Sequence, residues 1–122
     1  MPTVLEDVMF GPKNFGFTDE EAENNALNAL KKVKMENFID KPPHHLSFGQ
    51  KRKVAIASVL ASEPELLVLD EPSSNLDPAS RRELIEILKS LKISLILVTH
   101  DLPMALELCN SCLLYTSDAA DE

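Results

Sequence analysis

Two short apolar runs, Leu66-Leu67-Val68-Leu69 and Leu95-Ile96-Leu97-Val98, constrain this chain more than any other feature. The first is preceded by Glu63-Pro64-Glu65 and ends at Asp70-Glu71-Pro72; the second opens on Ser94 and ends at Thr99-His100-Asp101. Continuous runs of this length, bounded by breakers, read as strands buried on both faces. Between them, Asp77-Pro78 is a helix N-cap followed by proline at the first helical position. Leu84, Ile85, Leu88 and Leu91 then supply one apolar stripe. A short helix is expected near Pro103 to Leu108. Strand, helix, strand, helix is the grammar of a parallel α/β sheet. In such sheets ligands sit beyond the carboxyl ends of the strands. Asp70, Glu71, Thr99 and His100 all fall there, which makes them site candidates.

The first half reads as helical and loop-rich. Met1 to Phe17 is expected to be irregular, with Gly11-Pro12 and Gly16 as turn signals. Gly11 and Gly16 have the glycine spacing of a P-loop, but Phe17-Thr18 stands where Lys-Ser/Thr is needed, so the segment reads as a turn. Thr18-Asp19-Glu20-Glu21 is a capping box that starts a helix over about residues 19–33. Pro42-Pro43 argues against helix there. Ser47 and Gln50 have capping-box spacing again and open another helix. Lys51, Arg52 and Lys53 lie in its first turns, as a solvated face or as added positive potential. Val54 to Ala61 is small and apolar, suited to close packing.

With 122 residues the chain is sized for one domain. Lys+Arg 12 against Asp+Glu 20 gives a formal charge of −8. An acidic chain without a basic cluster argues against nucleic acid or an anionic membrane as a charge-driven partner. Two cysteines make no disulfide framework, so a reducing cytoplasm is the expected compartment. No apolar run approaches the ~20 residues of a membrane span, and Met1 to Asp7 lacks the pattern of a signal peptide. A membrane role would therefore run through a partner protein, without direct insertion.

The adjacent carboxylates Asp70-Glu71 are either a solvated turn or a working pair, one toward a hydrated Mg²⁺ and the other toward water. The second arrangement suits phosphoryl transfer. His100 is either structural or a group that donates to a phosphate oxygen or shuttles a proton. Ser47-Phe48-Gly49-Gln50 is either a plain cap or a helix N-terminus that receives an anion. Cys109-Asn110-Ser111-Cys112 is half a zinc site, or two ordinary thiols.

The order of these signals carries a resemblance. Leu46-Ser47-Phe48-Gly49-Gln50 resembles the signature motif of ATP-binding-cassette (ABC) proteins. Leu66 to Asp70 with Glu71-Pro72 resembles the Walker B strand and its catalytic glutamate. Ser74-Asn75-Leu76-Asp77 is similar to the D-loop, and Thr99-His100-Asp101 to the switch-histidine loop. Thr3 to Pro12 together with Pro42 to Ser47 is similar to the cobalt/nickel and energy-coupling-factor branch, whose transporters import metal ions or vitamins.

The resemblance implies a partial P-loop NTPase (RecA-like) parallel sheet with a helical subdomain. Residues 1–63 would be that subdomain, ending in the signature helix. Residues 64–112 would be the C-terminal part of the ATPase core, and 113–122 a tail without assigned function. It implies ATP and Mg²⁺, the latter held through water by Asp70. Glu71 would polarise the attacking water, and His100 would contact the terminal phosphate. Ser47, Gly49 and Gln50 would reach nucleotide held by a second ATPase subunit, identical or not, and Asp77 would couple the two sites. Residues around Phe10 to Phe38 would dock on transmembrane subunits, with the protein peripheral to the cytoplasmic face of the cell membrane. Departures from the pattern point to a C-terminal fragment, inactive alone. The chain contains no Walker A loop, no aromatic adenine-stacking loop and no Q-loop glutamine, and Phe48 replaces the usual signature glycine. Alternative readings are a cassette ATPase that powers no transporter, and a non-enzymatic remnant that only binds a partner.

Overall fold

The computed structural model describes residues 2–109. Cys112 and the tail 113–122 therefore lie outside the described residues. Helices α1 (Val4–Asn14), α2 (Asp19–Lys32) and α3 (Phe48–Leu60) come first, with single 3₁₀ turns at Glu36–Phe38 and Pro43–His45 between α2 and α3. Strand β1 (Leu66–Asp70), helix α4 (Pro78–Ser90), strand β2 (Ser94–Val98) and helix α5 (Leu102–Leu108) follow. Among the described residues the sheet is β1 paired in parallel with β2, from Leu66 opposite Ser94 to Asp70 opposite Val98. The expected strand–helix–strand–helix order is present.

Three capping boxes start α1, α2 and α3: Thr3 with Glu6, Thr18 with Glu21, and Ser47 with Gln50. In each, hydroxyl and carboxylate or carboxamide satisfy two backbone donors that the first turn leaves orphaned. Sequence reading found the second and third and missed the first. The segment expected to be irregular is therefore helix α1. Gly11 is no turn there: an added Cβ would stand 3.2 Å from Ser62 Oγ and 3.5 Å from the Ser58 carbonyl, so glycine lets α1 lie close to the end of α3. Pro12 is buried in the last turn of α1, and the turn that follows is at Gly16, with φ +91°. The prolines at 42 and 43 do exclude α-helix, yet Pro43 opens a 3₁₀ turn, where proline at the first position sacrifices no hydrogen bond.

One apolar core joins both halves of the chain. Val4 and Val8 of α1, Ala26 and Leu30 of α2, Val54 and Ala57 of α3, Leu67 of β1, and Leu84 and Leu88 of α4 belong to a single buried cluster. The strands are covered on one face only, contrary to the expectation of burial on both. Leu67 is 1% exposed, whereas Val68 and Val98 are 57% and 53% exposed. Side chains alternate across a strand, so Leu67 and Leu69 turn to the helices while Leu66 and Val68 face outward, with no described element over them.

The basic triplet is not a solvated face. Lys53 is buried, and its ammonium bonds Glu83 of α4 at 2.8 Å. Arg52 reaches across to the loop after β1. Of the three, only Lys51 is exposed.

Candidate functional site

The parallel register brings the carboxyl ends of β1 and β2 to one edge. Glu71 continues the ladder one step past β1, its N–H donating to the Val98 carbonyl at 2.7 Å. The chain then turns sharply, with Glu71 at φ +49° and Asn75 at φ +65°. Non-glycine residues adopt that region only where their surroundings hold them there. Arg52 is such a holder. Its guanidinium donates to the carbonyls of Glu71 at 3.3 Å, Pro72, and Ser74 at 3.2 Å.

The Glu71 side chain turns back to β2. Its Oε1 accepts the His100 N–H at 2.8 Å, and its Oε2 accepts the Thr99 hydroxyl at 3.1 Å. The His100 ring stands with Nδ1 3.1 Å from Oε1 and is otherwise 97% exposed. Glu71 and His100 are thus on the same edge and in contact. A carboxylate oxygen has two lone pairs. Oε1 faces both the amide and the ring, whereas Oε2 has one lone pair left for a proton from water. With Nδ1 turned to Glu71, Nε2 is the ring nitrogen free to meet a phosphate oxygen, as donor in the imidazolium form.

Asp101 anchors this edge from below. Its carboxylate accepts Arg81 Nε at 2.7 Å and Nη2 at 2.8 Å, the Ser73 hydroxyl at 3.0 Å and the Met104 N–H at 3.1 Å. Hydrogen bonds from the Arg81 guanidinium, more than any other cause, hold the Asp101 carboxyl well below the usual carboxylate range. Sequence reading placed Asp101 in the His100 loop without a role, gave Arg52 only a solvated face or added positive potential, and missed Ser73 and Arg81. Asp101-Leu102-Pro103 carried a legible N-cap signal. Nothing in the sequence pairs an arginine at 81 with an aspartate at 101.

Asp70 is exposed at the tip of β1, and among the described residues it has no ion-pair partner. Mg²⁺ is commonly held by one or two carboxylates, with water and phosphate oxygens completing the shell. Asp70 fits that donor set, and no three-residue ligand cage exists among the described residues. A cleft of ≈ 270 Å³ opens beside Asp70 and Glu71, bordered by Arg52 and Val59. Two larger recesses, ≈ 680 and ≈ 790 Å³, lie at the other end of the strands around Ser94.

The signature residues form a second group. Ser47 Oγ accepts the Gln50 N–H at 3.2 Å, and Gln50 Oε1 accepts the Ser47 N–H at 3.0 Å. The Ser47 proton and the Gln50 amide hydrogens are left to donate outward. Phe48 is 70% exposed at the first helical position. Gly49 is buried, and a Cβ there would come within 2.8 Å of Ser80 Oγ. Its lack of a side chain serves the contact between α3 and α4. Asp77 caps α4, accepting the Ser80 N–H at 3.3 Å. Hydrogen bonds from Ser80, the hydroxyl first, hold the Asp77 carboxyl below its usual range. The starts of α3 and α4 are thereby side by side, both exposing an N-terminal turn, where backbone N–H groups and helix dipole favour negative charge.

Comparison with known proteins follows the same outline. A "Putative ABC transporter ATP-binding protein" of Streptomyces avermitilis is 65% identical over 109 residues, covering 89% of this chain and 42% of that protein. An energy-coupling factor transporter ATP-binding protein, EcfA of Methanosphaera stadtmanae, is 47% identical over 106 residues, covering 84% and 38%. The solved structure of cbiO1 from Clostridium perfringens, part of the ABC transporter complex cbiONQ, superposes with a TM-score of 0.80 at 42% identity, covering 89% of this chain and 45% of that one. The chain spans less than half the length of these relatives. Its fold is accordingly part of a P-loop NTPase sheet with an ABC helical subdomain. The family model described as "AAA domain, putative AbiEii toxin, Type IV TA system" matches residues 13–107. By that match the chain belongs to this AAA-domain family, and by these likenesses it is one of the ATP-binding-cassette proteins.

Proposed function

We propose that this chain carries the hydrolytic edge and the signature helix of an ABC ATPase that drives import of a metal ion or vitamin, of the energy-coupling-factor or cobalt type. The observation that supports it most is the joining of Glu71 to the His100 loop at the carboxyl ends of adjacent parallel strands. The similarity to EcfA and cbiO1 supports the importer branch.

In this reading Glu71 accepts a proton from water at Oε2 and so polarises the nucleophile, while His100 Nε2 donates to the terminal phosphate. Asp70 holds Mg²⁺ through water, and the ion supplies neutralisation of phosphate charge when bound. Ser47, Gly49 and Gln50 reach ATP held by a second cassette subunit, and Asp77 lies between the two sites. Residues 1–63 then act as the helical subdomain that meets transmembrane subunits, and 64–112 as part of the ATPase core. The whole is peripheral to the cytoplasmic face of the membrane. No helix among the described residues is long and apolar enough to cross one.

Alone, the chain is inactive in this proposal. Its sequence holds no Gly-x₄-Gly-Lys-Ser/Thr, so no loop of that type cradles the β- and γ-phosphates, and positioning is most of what phosphoryl transfer requires. The test is a chimera. This chain replaces the matching 109 residues of the Streptomyces avermitilis relative, and MgATP turnover is measured. Turnover is expected in the chimera and not in the chain alone. Glu71→Gln in the chimera is expected to lower kcat by about 10²-fold or more. Unchanged turnover in Glu71→Gln removes the assignment of Glu71, and turnover by the isolated chain removes the proposed inactivity.

A further inference from the structure

We propose that Arg81 and Asp101 form a positioning latch, set on α4, that holds the His100 loop against Glu71. The latch serves the reading of Glu71 and His100 given above and adds to it two residues that act through the His100 loop.

One carboxylate ties three separate segments. Ser73 comes from the loop after β1, Arg81 from the second turn of α4, and Met104 from the first turn of α5. The Arg81 contact is a two-pronged fork, with Nε and Nη2 on different oxygens, which fixes orientation as well as distance. Side chains of the pair are 31% and 18% exposed, so water competes only partly. The Asp101 backbone N–H donates to Thr99 Oγ1 at 2.9 Å, and that hydroxyl donates to Glu71 Oε2 at 3.1 Å. His100 thus sits between two anchored neighbours. Its ring is 97% exposed, so no packing holds it. The imidazole is placed by its backbone and by the Nδ1 contact with Glu71, and Asp101 anchors that backbone on its C-terminal side.

The origin of the latch on α4 has a consequence. Asp77 caps that helix one turn before Arg81. Displacement of the start of α4 reaches the His100 loop through one side chain. A lysine at 81 offers a single point charge in place of the fork and restores the contact only in part.

Amide hydrogen exchange on the 122-residue chain at micromolar concentration, resolved to single residues and without nucleotide, tests the latch. In the unaltered chain the His100 N–H is protected by Glu71 Oε1. Arg81→Ala and Asp101→Asn are expected to speed its exchange about tenfold or more, the scale of one lost charge-assisted pair. Ala57, in the middle of α3, reports any general loss of stability. Arg81→Lys is expected to keep part of the protection. Glu107→Gln, which cuts the neighbouring contacts of Arg82 and Lys89 between α4 and α5, is expected to leave His100 unchanged. Three results overturn the proposal: a His100 amide unprotected in the unaltered chain, one unaffected by Arg81→Ala or Asp101→Asn, or one that speeds up only as much as Ala57. If both of those variants fail to fold, Arg81→Lys is read by the same comparison. No nucleotide enters this measurement, so a failed ATPase assay on the chimera and a failed latch are told apart.

Discussion

Gly49→Ala tests the contact that sets the signature helix beside the helix capped by Asp77. The new Cβ would lie 2.8 Å from Ser80 Oγ and 3.0 Å from Ser80 Cβ. The hydroxyl can rotate away, but Cβ moves only if α4 moves. Overpacking of this kind costs about 1–3 kcal/mol. Against it stands the gain from replacing glycine by alanine in a helix, up to about 1 kcal/mol. The expected net loss is about 1 kcal/mol, or roughly 4 °C in Tm for a domain of this size. Ser80→Gly removes both clashing atoms. In that background Gly49→Ala should change sign and stabilise, leaving only the propensity gain. Thermal unfolding followed by circular dichroism at low micromolar concentration measures all four proteins of the cycle. A rise in Tm of equal size with and without Ser80 would refute the close packing of α3 on α4.

Three further outcomes follow from named contacts. Glu83→Gln should cost about 1–3 kcal/mol, because it leaves the Lys53 ammonium buried without its counter-charge, and Lys53→Met should cost less, since Glu83 is 42% exposed and stays hydrated; urea unfolding ranks the two, and a neutral Glu83→Gln would show that the pair adds nothing. The depressed Asp101 carboxyl contributes stability that is present above its ordinary value of 3.8 and is lost as pH falls toward its lower folded value. Asp101→Asn should therefore be less stable than the unaltered chain at neutral pH yet show a flatter decline below about pH 4, checked by urea unfolding across that range; parallel acid limbs would count against the Arg81 fork. The outward apolar face of the sheet, which includes Val68 and Ile96, should promote self-association. Val68→Thr with Ile96→Thr should lower the mass measured by light scattering at tens of micromolar or above, and an unchanged mass would mean that this face is not the contact.

The elements were legible where local rules decide them. Both strands, the N-caps at Thr18, Ser47 and Asp77, and the helix after Asp77-Pro78 follow from periodicity and capping chemistry within a few residues. α1 was missed because Gly11-Pro12 reads as a turn, whereas close contact with Ser58 and Ser62 is what requires the glycine. Lys53 read as a surface charge because its partner, Glu83, lies thirty residues on.

The sequence alone determined that two parallel strands would end in Asp70-Glu71 and Thr99-His100, because apolar runs and caps are local patterns. Only the tertiary structure decided which groups hold them there. Arg52 on three carbonyls, Asp101 under the Arg81 fork, and Glu71 at φ +49° each depend on segments far apart in the chain. A hydrogen bond needs its partners within about 3 Å, and spacing along a sequence carries no such distance until the chain has folded.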